Sequence, residues 1–144
     1  MRSLALPWWA ILALAALAVP RVLIHDLGVE TGTFIQGLLT IGPPAVWVGV
    51  AVWRRLPSPV VTLVVIGTVY GVALGVSHNL MWDTAFSEES PALGGNLAGT
   101  LSAGAEEALM RVATMFSSVF TGALVGLIAG LVAQVLASLP GRRR

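Results

Sequence analysis

Four long apolar stretches constrain this chain more than any other feature of its sequence. They cover approximately residues 4–24, 33–53, 59–82 and 112–139, and their cores carry no charged side chain except Arg21. A membrane-spanning helix needs about 20 mostly apolar residues, whereas barrel strands alternate in polarity over about ten. We therefore predict an all-α integral membrane protein, in which four spanning helices form one domain with a four-helix bundle fold.

The composition agrees with lipid as the main solvent. Hydrophobic residues make up 56% of the chain and charged residues 10%, against about 25% charged residues in soluble domains. All eight basic residues are arginine and there is no cysteine, which excludes lysine nucleophiles, disulfides and thiolate metal sites. Such a composition is typical of a bacterial genome rich in G and C. The net charge of +1 gives no indication of nucleic-acid binding.

The arginines predict the orientation of the chain, because basic residues accumulate on the cytoplasmic side of membrane proteins. If four helices alternate in direction, one side holds Arg2, Arg54, Arg55 and the cluster Arg142 to Arg144. The acidic residues between the spans lie on the other side: Asp26, Glu30, Asp83, Glu88 and Glu89. We therefore predict a plasma-membrane protein, the inner membrane in a bacterium, with both termini in the cytoplasm.

The first apolar stretch has an alternative interpretation as a signal peptide. Arg2, the apolar run and the small residues around Ala16 and Ala18 resemble the three regions of such a peptide. The apolar character continues through Ile24, which favours a retained span. Four tryptophans near the span ends are expected to be interfacial anchors: Trp8, Trp9, Trp53 and Trp82.

Several helix boundaries can be read from the sequence. Ser58 followed by Pro59 predicts the start of the third helix, and Ser102 predicts the start of the fourth after an irregular outer loop, residues 83–102. A fourth helix that runs from residue 103 to 138 would be about 54 Å long, against a hydrocarbon core of ~30 Å. We therefore expect its first turns to project on the outer side.

Small residues at steps of four mark two helices as packing partners. They form two glycine zippers, one in the third helix and one in the fourth: Gly67, Gly71 and Gly75, and Gly122, Gly126 and Gly130. Small residues let helix backbones approach closely in lipid. We predict that the third and fourth helices pack against each other, and keep homodimerisation through one zipper as the alternative.

Two similar segments follow the first and the third helix. Residues 25–31 and 78–84 share a pattern of His, Asp or Asn, Leu, two variable residues, an acid and Thr. This pattern predicts a duplication of two helical hairpins, related by an axis along the membrane normal. Chance similarity between two helix ends is the alternative.

Most ionisable groups outside the cytoplasmic side gather at the outer end of the helices. The candidate ligand cluster comprises His25, Asp26, His78, Glu106, Glu107 and Arg111. It could form a proton relay, an anchor for a cationic ligand, or a divalent-metal site that uses His78, Glu106 and His25. Glu107 and Arg111 are four residues apart and can pair, which leaves Glu106 as the freer acid. We expect the ring of His78 to face the fourth helix.

The second helix contains a candidate break. Pro43 and Pro44, which follow Gly42, remove two backbone donors and free the carbonyls of Leu39 and Thr40. Exposed carbonyls of broken helices bind ions in some transporters. The alternative is an ordinary kink, since proline is tolerated in spanning helices.

These patterns predict three functions in a definite order. The first is a noncatalytic accessory or assembly subunit without a cofactor, which packs its helices against a membrane-protein partner or a second copy of itself in the lipid bilayer. The second is a small transporter or channel with an outward-facing polar cluster. The third is a membrane-embedded metal-dependent enzyme that uses His78 and Glu106. The sequence lacks a nucleophile motif and a phosphate-binding loop, which argues against catalysis.

Overall fold

The computed structural model describes residues 6–86 and 91–139, and every regular element in these ranges is helical. The α-helices are α1 (Trp8–Ala16), α2 (Val19–Asp26), α3 (Thr33–Trp53), α4 (Pro59–Leu80), α5 (Trp82–Ala85) and α6 (Ala103–Ser138), and a 3₁₀ turn covers Gly95–Leu97. With α1 and α2 taken together, four helices are long and apolar enough to cross a membrane.

The helix boundaries that were predicted from nearby residues agree with the structure. The helix α3 has its predicted limits, α4 begins at Pro59, and α6 is continuous over 36 residues. Ser58 and Ser102 occupy the N-cap positions, but neither side chain forms a capping hydrogen bond. Several residues used to predict orientation and loop polarity lie outside the described ranges: Arg2, Glu88, Glu89 and Arg142 to Arg144.

The first apolar stretch is long and apolar enough to be the predicted span, but it is divided into two helices, α1 and α2. Pro20 has no N–H group and its ring crowds the carbonyl four residues earlier, so a helix cannot continue regularly through this point. The N–H of Ala18 donates instead to the carbonyl of Ala15, at 3.2 Å. The carbonyl of Leu14 thereby loses its helical donor, and the indole Nε1 of Trp47 donates to it at 2.7 Å.

The two prolines of α3 do not end the helix, so the predicted break is absent. The helix continues from Thr33 to Trp53 through Pro43 and Pro44. The carbonyl of Leu39 keeps a possible donor three residues later in Gly42. The carbonyl of Thr40 has no backbone N–H donor three or four residues later, because both of those residues are proline.

The closest packing is between α4 and α6, and each of the six zipper glycines lies against the facing helix. A Cβ atom on Gly71 would lie 2.6 Å from the carbonyl oxygen of Ser118, and one on Gly130 would lie 2.7 Å from the Cα of Val60. Only glycine fits where two helix backbones approach this closely. All six glycines are buried within one chain, so they offer no surface for the homodimer considered above.

The apolar core is concentrated in one half of the molecule. Its largest fully buried apolar side chains lie on the half of each helix nearer Arg54: Ile11, Trp47, Leu63 and Ile66. The rings of Trp47 and Tyr70 meet edge to face with centroids 6.2 Å apart. We call this half the arginine half. The opposite half, where α2 and α4 end and α6 begins, is called the polar half.

Candidate functional site

The last turn of α2 is fixed by a glycine C-cap. Gly28 has φ +64°, its N–H donates to the carbonyl of His25 at 3.1 Å, and the N–H of Val29 donates to that of Ile24 at 3.0 Å. These two bonds form a Schellman motif, which requires a left-handed residue and therefore favours glycine. The motif ends the helix directly after His25 and Asp26, so both side chains project from an ordered turn.

Asp26 is the buried carboxylate of the polar half. Its side chain is 1% exposed, and its Oδ2 lies 2.8 Å from Nδ1 of His78 on α4. The separation is that of an ion pair, but its angle is not that of a hydrogen bond, and Oδ2 has no hydrogen-bond donor in the described ranges. The contact therefore stabilises Asp26 by charge when His78 is protonated.

A second imidazole completes this cluster. Nδ1 of His25 lies 3.2 Å from Oδ1 of Asp26, and the rings of His25 and His78 meet edge to face with centroids 6.5 Å apart. The side chain of His25 is 78% exposed, whereas that of His78 is 22% exposed. His78 was expected to face the fourth helix, but its Nδ1 points to α2. The exposed His25 thus connects the buried Asp26 to the exterior.

We expect His78→Ala to lower the free energy of unfolding by about 3 kcal/mol, because the buried carboxylate of Asp26 then keeps only the exposed His25 as a partner. His25→Ala is the matched control, since this histidine is exposed, and its loss should be below about 1 kcal/mol. Unfolding titrations in detergent micelles measure both. The double variant Asp26→Asn, His78→Ala should recover part of the loss; equal losses for the two single histidine variants would contradict the assignment.

Arg111 organises a second polar group around the end of α4. Its Nε donates to Glu107 at 2.8 Å, its Nη1 donates to the carbonyl of Asn79 at 2.8 Å, and its Nη2 lies 3.8 Å from Asp83. The pair with Glu107 is the one that helical spacing predicts. Because the final carbonyls of a helix have no intrahelical donor, the contact with Asn79 caps α4 with a positive charge.

Two residues of this second group differ from their sequence predictions. Trp82 was expected to be an interfacial anchor, but it is buried, and the guanidinium of Arg111 lies 4.7 Å from its ring centre. Glu106 was expected to be the freer acid, yet its Oε1 accepts the N–H of Leu93 at 2.6 Å. The connection before α6 folds back onto Glu106, which helical spacing alone does not show.

The candidate metal ligands do not form a recognisable metal centre. His25 and His78 lie together beside Asp26, whereas the contact found for Glu106 is with Leu93. Among residues 6–86 and 91–139, no group of three His, Asp or Glu side chains could hold a metal ion. A divalent-metal site therefore has no support from the geometry and stays a prediction.

Two cavities open at the polar half. The larger, about 450 Å³, is lined by Trp82, Phe86 and three carboxylates from Asp83, Glu106 and Glu107. The smaller, about 260 Å³, lies between α2 and α3 and is lined by ten residues. They are Arg21, Ile24, His25, Gly28, Val29, Glu30, Thr31, Gln36, Leu39 and Thr40. The second cavity thus joins the histidine cluster to the proline-containing helix.

The repeated segments supply corresponding positions to these two groups. Asp26 follows His25 and contacts His78, while Asn79 follows His78 and contacts Arg111. The repeated pattern aligns Asn79 with Asp26, and this alignment could have indicated Asn79, which is not among the candidate ligand residues. The duplication itself stays a prediction, since the first apolar stretch is divided and α4 is not.

Comparison with protein-family models, with curated proteins and with solved structures finds no match.

Proposed function

We propose that this protein is a noncatalytic subunit of the bacterial plasma membrane that binds another membrane protein through the polar half of α3. Four helices of sufficient length and apolarity support insertion in the membrane. Arg54 and Arg55 lie at one end of the spans and Asp26 lies at the other, which supports an arginine half on the cytoplasmic side.

The observation that carries this proposal is the exposure of α3 on every side near its start. Residues 33–38 are all exposed, and the apolar side chains among them include Phe34, which is 82% exposed, and Leu38. Gly37 has nothing within 4 Å of a Cβ position, and Gln36 makes no side-chain hydrogen bond in the ranges described. Small residues and amide side chains are the groups through which helices associate in lipid.

The glycines of α3 differ in this respect from those of α4 and α6. The latter are filled by the internal contact, whereas Gly37 and Gly49 face open space. Gly37 allows a close approach, and the Gln36 amide makes no hydrogen bond among the described residues, so this surface fits a partner helix. This partner surface, residues 33–38, is therefore separate from the internal glycine contact.

The state of the ionisable groups supports a noncatalytic role. Arg111 is held by Glu107 and Asn79, and Glu106 is held by Leu93. The burial of Asp26 beside His78 favours the alternative of a small transporter, since ionisable groups at membrane depth are commonly functional. Transport needs a path inward from His78, where Tyr70, Ile66 and Trp47 are buried. We therefore rank partner binding first.

A photoreactive amino acid in place of Phe34 should form one discrete crosslinked product with a membrane protein in native membranes. The same replacement at Phe120, which is 69% exposed on α6, is the matched control and should give only lipid adducts. Gel analysis and mass spectrometry identify the products. Lipid adducts alone at both positions would contradict the proposal.

Gly37→Leu tests the same surface without a crosslinker. We expect it to remove the co-purified partner and leave the unfolding transition of the isolated protein unchanged, because the site is open within the chain. Gly49→Leu is the control in the arginine half and should retain the partner. Loss of the partner in both variants, or in neither, would argue against the assigned surface.

A further inference from the structure

The cavity between α2 and α3 combines a cation with hydrogen-bonding groups that the chain leaves unused. Arg21 lines it and makes no ion pair or side-chain hydrogen bond with any other described residue. Thr31 lines it as well, and its Oγ1 is buried and has no hydrogen-bond partner in the same ranges. A buried hydroxyl without a partner is costly, so both groups favour a ligand with acceptor oxygens.

His25 adds a further donor on the α2 side of the cavity. Its Nδ1 is directed to Asp26, which leaves Nε2 as the ring nitrogen available to a ligand. When the ring carries both protons, Nδ1–H meets the carboxylate and Nε2–H is free to donate. Arg21, His25 and Thr31 together match the oxygens of a phosphate ester, for which arginine is a preferred partner.

Two residues with acceptor groups line the same cavity. The carbonyl of Thr40 has no helical donor because of Pro43 and Pro44, and the carboxylate of Glu30 also borders the space. An unsatisfied carbonyl in a membrane is costly unless a donor reaches it. The lining thus presents donors for an anion and acceptors for a group with N–H bonds.

We propose that this cavity binds a phosphate ester that carries a primary ammonium group, as in a phosphoethanolamine headgroup. The phosphate contacts Arg21 and His25, and the ammonium group donates to Glu30 and the carbonyl of Thr40. Arg21 lies five residues before the end of the span Trp8–Asp26, which is about 8 Å along a helix and hence near headgroup depth. This inference does not depend on the proposed partner surface.

The test is native mass spectrometry of the purified full-length protein in detergent, titrated with phosphatidylethanolamine or phosphatidylcholine. The two lipids share the phosphate, but phosphatidylcholine has no N–H donor. We expect one bound phosphatidylethanolamine and at least about tenfold weaker binding of phosphatidylcholine. Free phosphoethanolamine is the third arm: binding as strong as that of the lipid identifies a soluble source of the same headgroup chemistry.

Arg21→Gln should weaken the binding of phosphatidylethanolamine about tenfold or more, because it removes a charge-assisted hydrogen bond. Arg54→Gln is the matched control in the arginine half and should leave binding unchanged. The proposal is overturned by equal binding of the two lipids, by several nonspecific adducts without saturation, or by an unchanged affinity of the Arg21 variant. An unfolding transition equal to that of the wild type excludes misfolding as the cause of lost binding.

Discussion

Gly122→Val should separate α4 from α6 and lower the free energy of unfolding by about 3 kcal/mol or more. A Cβ on residue 122 would lie 2.6 Å from both the Cα and the N of Gly71. These are backbone atoms, so no change of rotamer relieves the clash. The helices must move apart, and the neighbouring glycine contacts along the same interface are lost with them.

Gly49→Val is the matched control for this substitution. Gly49 is also within a helix, but a Cβ there has nothing within 4 Å. The change in helix propensity is the same in both variants, so the difference between them reports packing alone. Unfolding by denaturing detergent, followed by circular dichroism, measures it. Similar stabilities of the two variants would show that α4 and α6 are not in close contact.

Trp47→Ala should lower the free energy of unfolding by about 3–5 kcal/mol, since it removes a fully buried aromatic side chain. The substitution also leaves the carbonyl of Leu14 without its indole donor and Tyr70 without its ring contact. Trp53→Ala is the control in the same helix. Trp53 is 78% exposed, and its contact with Arg54 accounts for at most about 1 kcal/mol.

Trp47→Phe separates the loss of unfolding free energy at this position into aromatic packing and the hydrogen bond to Leu14. Phenylalanine retains most of the aromatic packing but cannot donate to Leu14, so its loss relative to wild type reports the hydrogen bond at about 1–2 kcal/mol. The same unfolding titration serves for all three tryptophan variants. A Trp47→Ala loss no greater than that of Trp53→Ala would be inconsistent with the described core.

Helix limits that depend on neighbouring residues can be predicted from this sequence. The start of α4 at Pro59, the limits of α3 and the length of α6 are signalled by residues within a turn of each boundary. The division of the first stretch was missed because Pro20 lies in an apolar run that hydropathy treats as continuous. The N–H rearrangement at Ala18 and the contact from Trp47 involve bonds that no local pattern shows.

In the candidate site, too, contacts set by spacing within one helix were predictable from the sequence, whereas contacts between separate segments were not. The pair of Glu107 and Arg111 follows from helical spacing and is present. The burial of Asp26 depends on α4 packing beside α2, and the capture of Glu106 depends on a connection that returns to α6. Two segments far apart in the sequence must meet before either property exists, so neither could be derived from spacing.

The uneven distribution of the core implies an uneven stiffness. Large side chains and the Trp47 hydrogen bond join α1, α3 and α4 in the arginine half, whereas residues 33–38 of α3 are exposed and contribute no side chain to this core among the described residues. Local opening is easiest where few apolar contacts resist it. The start of α3 can therefore change its position while the core of the arginine half stays packed.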